Sequence, residues 1–357
     1  MEMLQTKFTW KTVVFPAIGI AAFLVYIYLF QVDIVAIINT LKTISPLPYA
    51  VAVMFSLLEI LFFSISWREL ALFLRIKLSI ARSYLFVWYG IFVDTLIPAE
   101  SVSGELTRVY LISKEQGNSK CGPALASLVI HRFLGMGVNI AILLIGIILL
   151  FTGNQAPLSS IVFNSILLIA VGISATLIAL IILAFKEQWT TKLLNWTIKT
   201  AKFISRGRWN LNHLSENVHQ IIQSFHESMK EFKNKPKPLF TSLFYLIITW
   251  IFSLSTQYLV FTALGITVSW SMITITAAIV LAVKAIPIGI PFEVGIPEAT
   301  MTTLYIAFNV DPAIAATATI LSRLLTLWLR FFIGFSAQQW LTLKHIINSH
   351  SNKSAIN

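Results

Sequence analysis

The amino-acid sequence predicts an all-α integral membrane protein, a polytopic helical bundle with two oppositely oriented re-entrant helical hairpins that form an inverted repeat. Of the 357 residues, 57% are hydrophobic and only 11% are charged, and the mean hydropathy is +0.81. A soluble domain of this length has no core that could bury so much apolar surface. The other two observations are a series of long apolar runs and a short acidic motif that occurs twice.

Six apolar runs have the roughly 20 residues that a transmembrane helix needs. They predict spans at about 13–32, 47–66, 124–151, 161–185, 239–263 and 313–340. Shorter helices are predicted in pairs, at 84–98 with 105–114 and at 271–287 with 298–309. We therefore expect a single transmembrane domain over 1–357, with repeat one at about 47–151, repeat two at about 239–341 and an amphipathic insert at about 186–238.

The charges between these runs predict the orientation of the chain. The formal net charge is +11, and most of the Lys and Arg residues lie in the loops 67–83 and 186–238. Positive loops mark the cytoplasmic side and contact anionic lipid, so both termini are predicted to be cytoplasmic and binding of nucleic acid is improbable. The single cysteine, Cys121, excludes an intrachain disulfide and argues against a cysteine-ligated metal.

The repeated motif is Pro-x-Glu-x4-Glu, and it separates the two short helices of each pair. Its acidic members are Glu100 and Glu105 in the first half, and Glu293 and Glu298 in the second. Proline and glycine break helices, so each pair is predicted to be a hairpin that enters and leaves on one side. The predicted hairpin breaks are Pro98, Gly104, Pro287, Pro291, Gly295 and Pro297.

Charged residues at membrane depth are costly and usually functional. Arginines on the long span after each motif, Arg132 and Arg323, can bind a phosphate or form structural ion pairs with Glu105 and Glu298. Both interpretations stay open from the sequence. The predicted substrate-binding set is Glu100, Glu105, Arg108, Arg132, Glu293, Glu298, Arg323 and Lys284.

Several polar residues have simpler predicted roles. Asp94 is a candidate helix cap, and Lys284 is predicted to neutralise a nearby glutamate. His131 is predicted to be a hydrogen-bonded packing residue, and Arg330 is expected to reach lipid phosphate. Within the insert, residues 189–203 and 211–232 have the apolar spacing of amphipathic helices.

The motifs in their order resemble those of the transmembrane, flippase-like region of lysylphosphatidylglycerol synthases, also called multiple peptide resistance factors, and of stand-alone relatives. The resemblance is carried by Gly104-Glu105-Leu-Thr-Arg108 with His131-Arg132, and by Gly295-Ile-Pro-Glu298 with Ser322-Arg323. It covers about residues 10–342 and implies a helical bundle with lipid translocation as its activity. No soluble acyltransferase domain follows, so we do not expect this chain to aminoacylate lipid. Phe292 and Glu293, where small residues are expected, indicate that the lipid need not be an aminoacyl lipid.

The leading hypothesis is a translocase for a phosphate-bearing lipid, with aminoacylated and polyprenyl-linked lipids as candidates. No cofactor, metal or nucleotide is expected, because the sequence has no Walker motif. The alternatives are a membrane-embedded transferase that uses paired carboxylates as acid and base, and a non-catalytic scaffold for a lipid-synthesising partner enzyme. The translocase hypothesis predicts that Glu105 and Glu298 lie near the bilayer midplane in one polar cavity.

Overall fold

The computed structural model describes residues 44–97, 102–152, 159–186, 188–189, 192, 212–284 and 294–354, without the side chains of 212–219 and 344–354. All regular structure in these ranges is helical. The predicted span at 13–32 lies outside the described residues. So do most of the first amphipathic helix and the site residues Pro98, Glu100, Pro287, Pro291 and Glu293.

The helices follow the sequence prediction closely. They are α1 Pro46–Phe73, α2 Ile80–Leu96, α3 Val102–Gln116, α4 Cys121–Thr152, α5 Ser160–Phe185, α6 Asn212–Asn234, α7 Lys237–Ala263, α8 Trp270–Lys284, α9 Ile296–Ala307, α10 Pro312–Arg323 and α11 Arg330–Ser354. Within the described ranges, five helical stretches are long and apolar enough to cross a membrane. They are α1, α4 with the preceding 3₁₀ turn, α5, α7, and the stretch from α10 to Leu343. The chain is a multi-pass membrane protein.

The centre of the bundle is an antiparallel pair of helices, α1 and α7. The backbone N–H of Ser45, before α1, donates to the carbonyl of Ala263 at the end of α7, with a distance of 2.9 Å. Midway along, the rings of Phe55 and Phe252 are 5.1 Å apart. Near the other end, the Oγ atoms of Ser66 and Ser242 are 2.8 Å apart. The contacts therefore run in opposite directions along the two helices.

The two halves also use the same local structures after these central helices. Ile76 N–H donates to Ala71 at 3.0 Å, and Ile266 N–H donates to Phe261 at 3.0 Å, closing each helix with the 6→1 bond of a Schellman motif. The residue before each isoleucine has a positive φ, 59° at Arg75 and 75° at Gly265.

A serine then starts the next helix in each half. Ser79 Oγ accepts from Arg82 N at 3.2 Å, and Ser269 Oγ accepts from Met272 N at 3.2 Å. A side-chain oxygen at this position satisfies one of the free N–H groups at a helix start. The chain order of helix, turn, serine cap and short helix is therefore the same in both halves.

Each short helix packs against the long helical stretch of the other half. Helix α2 contacts α11, and α8 contacts α4. Both contacts are close at a glycine: a Cβ at Gly334 would lie 2.6 Å from the carbonyl oxygen of Trp88, and one at Gly146 would lie 2.8 Å from the Ile275 side chain. Small residues of this kind let membrane helices approach each other closely.

Helices α2 and α3 form an antiparallel hairpin. At its tip, the Asp94 carboxylate contacts the start of α3 at Gly104. At its open end, the Gln116 side chain forms two hydrogen bonds with the backbone of Lys77, at 3.0 and 2.8 Å. In the second half, α8 likewise lies against α9, although the residues that join these two helices are outside the described ranges.

The second amphipathic segment forms α6, as predicted, and it packs on α4: a Cβ at Gly122 would lie 2.7 Å from the Ile221 carbonyl. One detail differs from the sequence prediction, because the span predicted at 313–340 is interrupted by a π-helical segment, Leu324–Leu329. A π segment inserts extra residues into a helix and is common at functional sites. It begins directly after Arg323.

We predict that Gly334→Ala lowers the midpoint of thermal unfolding in detergent, because overpacking of this kind costs about 1–3 kcal/mol. Gly137→Ala is the matched control, since a Cβ there meets nothing within 4 Å. Alanine is favoured over glycine inside a helix by about 1 kcal/mol, so the control should unfold at an equal or higher temperature. Equal midpoints for the two variants would contradict close packing at Gly334.

Candidate functional site

The second half holds a buried ion pair between Glu298 and Arg323. Glu298 lies in the first turn of α9 and Arg323 is the last residue of α10. The Arg323 Nε donates to Glu298 Oε1 at 2.5 Å, and the side chains are only 6% and 2% exposed. Glu298 Oε2 also accepts from the Gly295 backbone N–H at 2.7 Å. One carboxylate thus neutralises the arginine and caps its own helix.

Gly295 and Pro297 allow this turn to form. Gly295 has φ +98°, a conformation that side-chain-bearing residues rarely adopt. Pro297 lies in the first turn of α9, where no backbone donor is lost to an intrahelical bond. The predicted hairpin breaks in this half therefore position the carboxylate of Glu298 against the helix start.

The first half holds the corresponding pair in a more open position. Glu105 is in the first turn of α3, and Arg132 is in α4. The Arg132 Nη1 lies 3.2 Å from Glu105 Oε1, and the two side chains are 30% and 17% exposed. The partners are 27 residues apart in the sequence, compared with 25 for the second pair. The ion pairs that the sequence left open as an alternative are present in both halves.

Asp94 joins the two helices of the first hairpin. Its Oδ1 accepts from the Ser103 hydroxyl and from the Gly104 N–H, each at 2.6 Å. Asp94 therefore caps α3 from the end of α2. Gly104 is required by space, because a Cβ would lie 2.5 Å from the Gly90 carbonyl oxygen.

Arg108 lies one turn after Glu105 and points inward. It is 6% exposed, and its guanidinium carbon is 5.1 Å from the ring centre of Trp67. Its Nε donates to the Gly104 carbonyl over a long 3.4 Å. Its charge interacts with Glu105 and Asp94, but its Nη1 is buried without a hydrogen-bond partner.

The exposed face of α3 is apolar although its buried face carries an arginine. Val102, Leu106 and Tyr110 follow at intervals of four residues and are 45%, 56% and 57% exposed. A helix surface in water has the opposite arrangement. The face formed by these three residues, the α3 apolar stripe, is suited to contact with lipid chains.

Arg330 does not extend to lipid phosphate as the sequence predicted. Its Nη2 is 2.6 Å from Oε2 of Glu59 in α1, and the side chains are 17% and 12% exposed. The Glu59 carboxylate, and not a lipid phosphate, is therefore the partner of Arg330. Sequence reasoning missed Glu59, although a lone acid inside the apolar run Leu57-Leu58-Glu59-Ile60 was the available signal.

His131 is a packing residue, as predicted. It is buried, its Nε2 is 3.2 Å from the Ser66 hydroxyl, and Phe63 lies edge-on at 4.6 Å. Because Ser66 also contacts Ser242, a line of hydrogen bonds joins α4, α1 and α7. Lys284, the remaining predicted site residue, is partly buried at the end of α8.

A cavity of about 340 Å³ lies at the loops of the second half, apart from the ion-paired side chains. Its lining comes from 266–269, Met272, 308–311 and Ile314. The Asp311 carboxylate caps the start of α10 through Ala313 and Ile314. The cavity therefore belongs to the ends of helices and has no arginine or glutamate in its lining.

We predict that Glu298→Gln destabilises the protein far more than Glu105→Gln. Removing one partner of a buried ion pair costs about 3–5 kcal/mol, whereas a partly exposed pair contributes roughly 0–1 kcal/mol. The fraction that stays folded and monodisperse after heating in detergent measures the difference. The double variant Glu298→Gln, Arg323→Met should recover part of the loss. Equal losses for the two single variants would contradict the different burial of the pairs.

Comparison with known proteins places this architecture in a family. A family model described as the lysylphosphatidylglycerol synthase TM region matches residues 15–334. The chain is 26% identical to a UPF0104 membrane protein of Methanocaldococcus jannaschii, over 98% of this chain and 100% of that protein. It is 22% identical to a UPF0104 membrane protein of Pyrococcus horikoshii, over 79% and 84%, and 22% identical to one of Methanothermobacter thermautotrophicus, over 84% and 87%. The chain belongs to the family of the lysylphosphatidylglycerol synthase transmembrane region and is similar to its stand-alone members.

Proposed function

We propose that this membrane protein is a lipid translocase, which moves a phosphate-bearing lipid between leaflets without altering it chemically. The observation that carries the proposal is the pair of Glu–Arg contacts at corresponding places in two halves of a membrane protein. Charged side chains inside a membrane protein are energetically costly and are typical of substrate pathways. Membership in a lipid-related family supports the same conclusion.

The proposed architecture is an inverted repeat of residues 47–151 and 239–341. Its support is the antiparallel contact of α1 and α7, which occupy the same place in the two halves, together with their matching turns and serine caps. Two copies of one unit that point in opposite directions give a transporter equivalent openings on both sides. Both termini are proposed to be cytoplasmic.

We propose that each short helix pair is a re-entrant hairpin. Helix α2 has 17 residues and is therefore about 25 Å long, less than the roughly 30 Å of the hydrocarbon core. The α3 apolar stripe supports a location in lipid for the first hairpin. The motif residues Pro98, Glu100, Pro287, Pro291 and Glu293 are proposed to lie at the hairpin tips, where Glu105 and Glu298 share a polar pathway.

In the proposed mechanism, the headgroup crosses along the polar side of the hairpins while its acyl chains stay in the bilayer beside the α3 apolar stripe. The headgroup phosphate accepts hydrogen bonds from arginine as the carboxylate partner is released. The partly exposed Glu105–Arg132 pair is the first that a headgroup can reach, whereas the Glu298–Arg323 pair is closed. Transport is passive or coupled to an ion, with Glu105 as a candidate proton carrier.

The direct test uses fluorescently labelled lipids in proteoliposomes, with a quencher that bleaches only the outer leaflet. The panel includes phosphatidylethanolamine, phosphatidylglycerol, an aminoacyl lipid and a polyprenyl phosphate. At least one lipid should be bleached beyond the outer-leaflet half faster than in empty vesicles. If no lipid in the panel crosses faster, the translocase proposal fails, and chemically altered lipid in the vesicles would favour the transferase alternative.

We predict that Glu105→Gln lowers the translocation rate by up to about fivefold, because the partly exposed Glu105–Arg132 pair contributes roughly 0–1 kcal/mol. The matched control is Glu115→Gln, which removes the same charge from the exposed pair with Arg82 on the same hairpin. Rates are measured in the same vesicle assay at equal protein content. A control variant as slow as Glu105→Gln would indicate that hairpin stability, and not the Glu105 carboxylate, limits transport.

A further inference from the structure

Arg108 occupies a pocket made by residues of three helices. The guanidinium faces the ring of Trp67 in α1. Gly90 in α2 lies beside it, where a Cβ would be at an ordinary contact distance of 3.5 Å from the Arg108 Nε. On α3 itself, the only acceptor near the Nε is the Gly104 carbonyl, at 3.4 Å. The pocket thus fits a guanidinium in shape but supplies little hydrogen bonding.

The neighbouring acids balance the charge of Arg108 without accepting from its Nη1. Asp94 uses Oδ1 to cap α3 through Ser103 and Gly104, and Glu105 is paired with Arg132. The Arg108 Nη1 is buried and has no hydrogen-bond partner. A buried N–H of this kind is uncommon in native proteins and calls for an explanation, of which an absent ligand is one. The Trp67 ring attracts the positive charge of Arg108 through a cation–π interaction, but it offers no hydrogen-bond acceptor to the guanidinium N–H groups.

The second half of the chain has no arginine at the position that corresponds to Arg108. Three residues after Glu298, where Arg108 stands after Glu105, the chain has Met301, which is 5% exposed. A methionine therefore fills the corresponding site beside the closed ion pair. Of these two corresponding positions, only the one in the first hairpin carries an arginine, and there Glu105 and Arg132 are partly exposed.

We propose that Arg108 binds the phosphate group of the translocated lipid, and that the headgroup enters at the first hairpin. This inference rests on the proposed function and makes Arg108 the first phosphate contact, before any exchange at Arg132 and Arg323, which are each paired with a carboxylate. Arginine presents several N–H donors in a plane and matches phosphate oxygens bidentately. A small separation of α2 and α3 at their glycine contact gives the phosphate access to Nη1.

The test measures the thermal unfolding midpoint of the purified full-length protein in neutral detergent as short-chain ligands are added. A ligand that binds only the folded state raises this midpoint in proportion to its affinity. Dioctanoyl phosphatidylethanolamine should raise it, whereas dioctanoylglycerol, with the same chains and no phosphate, should not. Inorganic phosphate is the third arm. If it stabilises the protein as well as the phospholipid does, the site binds free phosphate and the lipid assignment is overturned.

Arg108→Met is expected to weaken phospholipid binding by roughly ten- to a hundredfold, which is the effect of losing charge-assisted hydrogen bonds. The residue at the corresponding place is Met301, so the variant should still fold. Arg108→Lys keeps the charge but loses the planar donors, and should bind at an intermediate level. The matched control is Arg82→Met, which removes an exposed arginine from the same hairpin and should bind like the wild type.

Unchanged binding by both Arg108 variants would overturn this inference while leaving the translocase proposal intact. Conversely, if Arg108-dependent binding is found but no lipid in the panel crosses the vesicle membrane, the inference holds and the proposed function fails. If Arg108→Met does not fold, the comparison of Arg108→Lys with the wild type decides the matter. Equal affinity of those two proteins then counts against the phosphate assignment.

Discussion

The fold depends on the neutralisation of charge away from water. A buried carboxylate or guanidinium is tolerated only with a partner, since an unpaired charge in an apolar medium costs several kcal/mol or more. Glu298 and Arg323 satisfy this constraint at 2.5 Å. The constraint then determines the local structure: Gly295 adopts a positive φ so that Glu298 also caps α9, and α10 ends at Arg323, where the π segment begins.

The same constraint gives the two halves different properties although their chain order is alike. In the second half one acid and one base close on each other and are shielded. In the first half, Asp94, Glu105, Arg108 and Arg132 form a larger neutral set, in which one ion pair is partly exposed and the Nη1 of Arg108 has no acceptor. A protein that must admit a charged group benefits from such a difference, because a site with unused donors needs no strong contact to be broken first.

The sequence predicts most of the fold because membrane spans are read from hydropathy alone. The helix bounds and the repeated motif are predictable from the sequence, whereas the pairing of each glutamate with the arginine on the next span is one of two interpretations that the sequence leaves open. The pairing of Arg330 with Glu59 is not, since these residues are 271 positions apart and only the packed bundle brings α1 and α11 together. The inward direction of Arg108 is also not predictable, because it involves a contact with Trp67, which belongs to another helix.

On the proposed translocase mechanism, the difference in burial between the two ion pairs would also set the order in which they open. Breaking a pair whose partners are 2% and 6% exposed requires an incoming group to replace the full interaction in a site that water does not enter. Breaking a pair whose partners are 17% and 30% exposed requires less, because the protein shields both charges less completely. On the proposed mechanism, a headgroup would therefore exchange with the first pair before the second. In the proposed inverted repeat, closing the first pair while opening the second would present the same polar path to the opposite leaflet. Of the two exchanges, opening of the Glu298–Arg323 pair would cost more free energy.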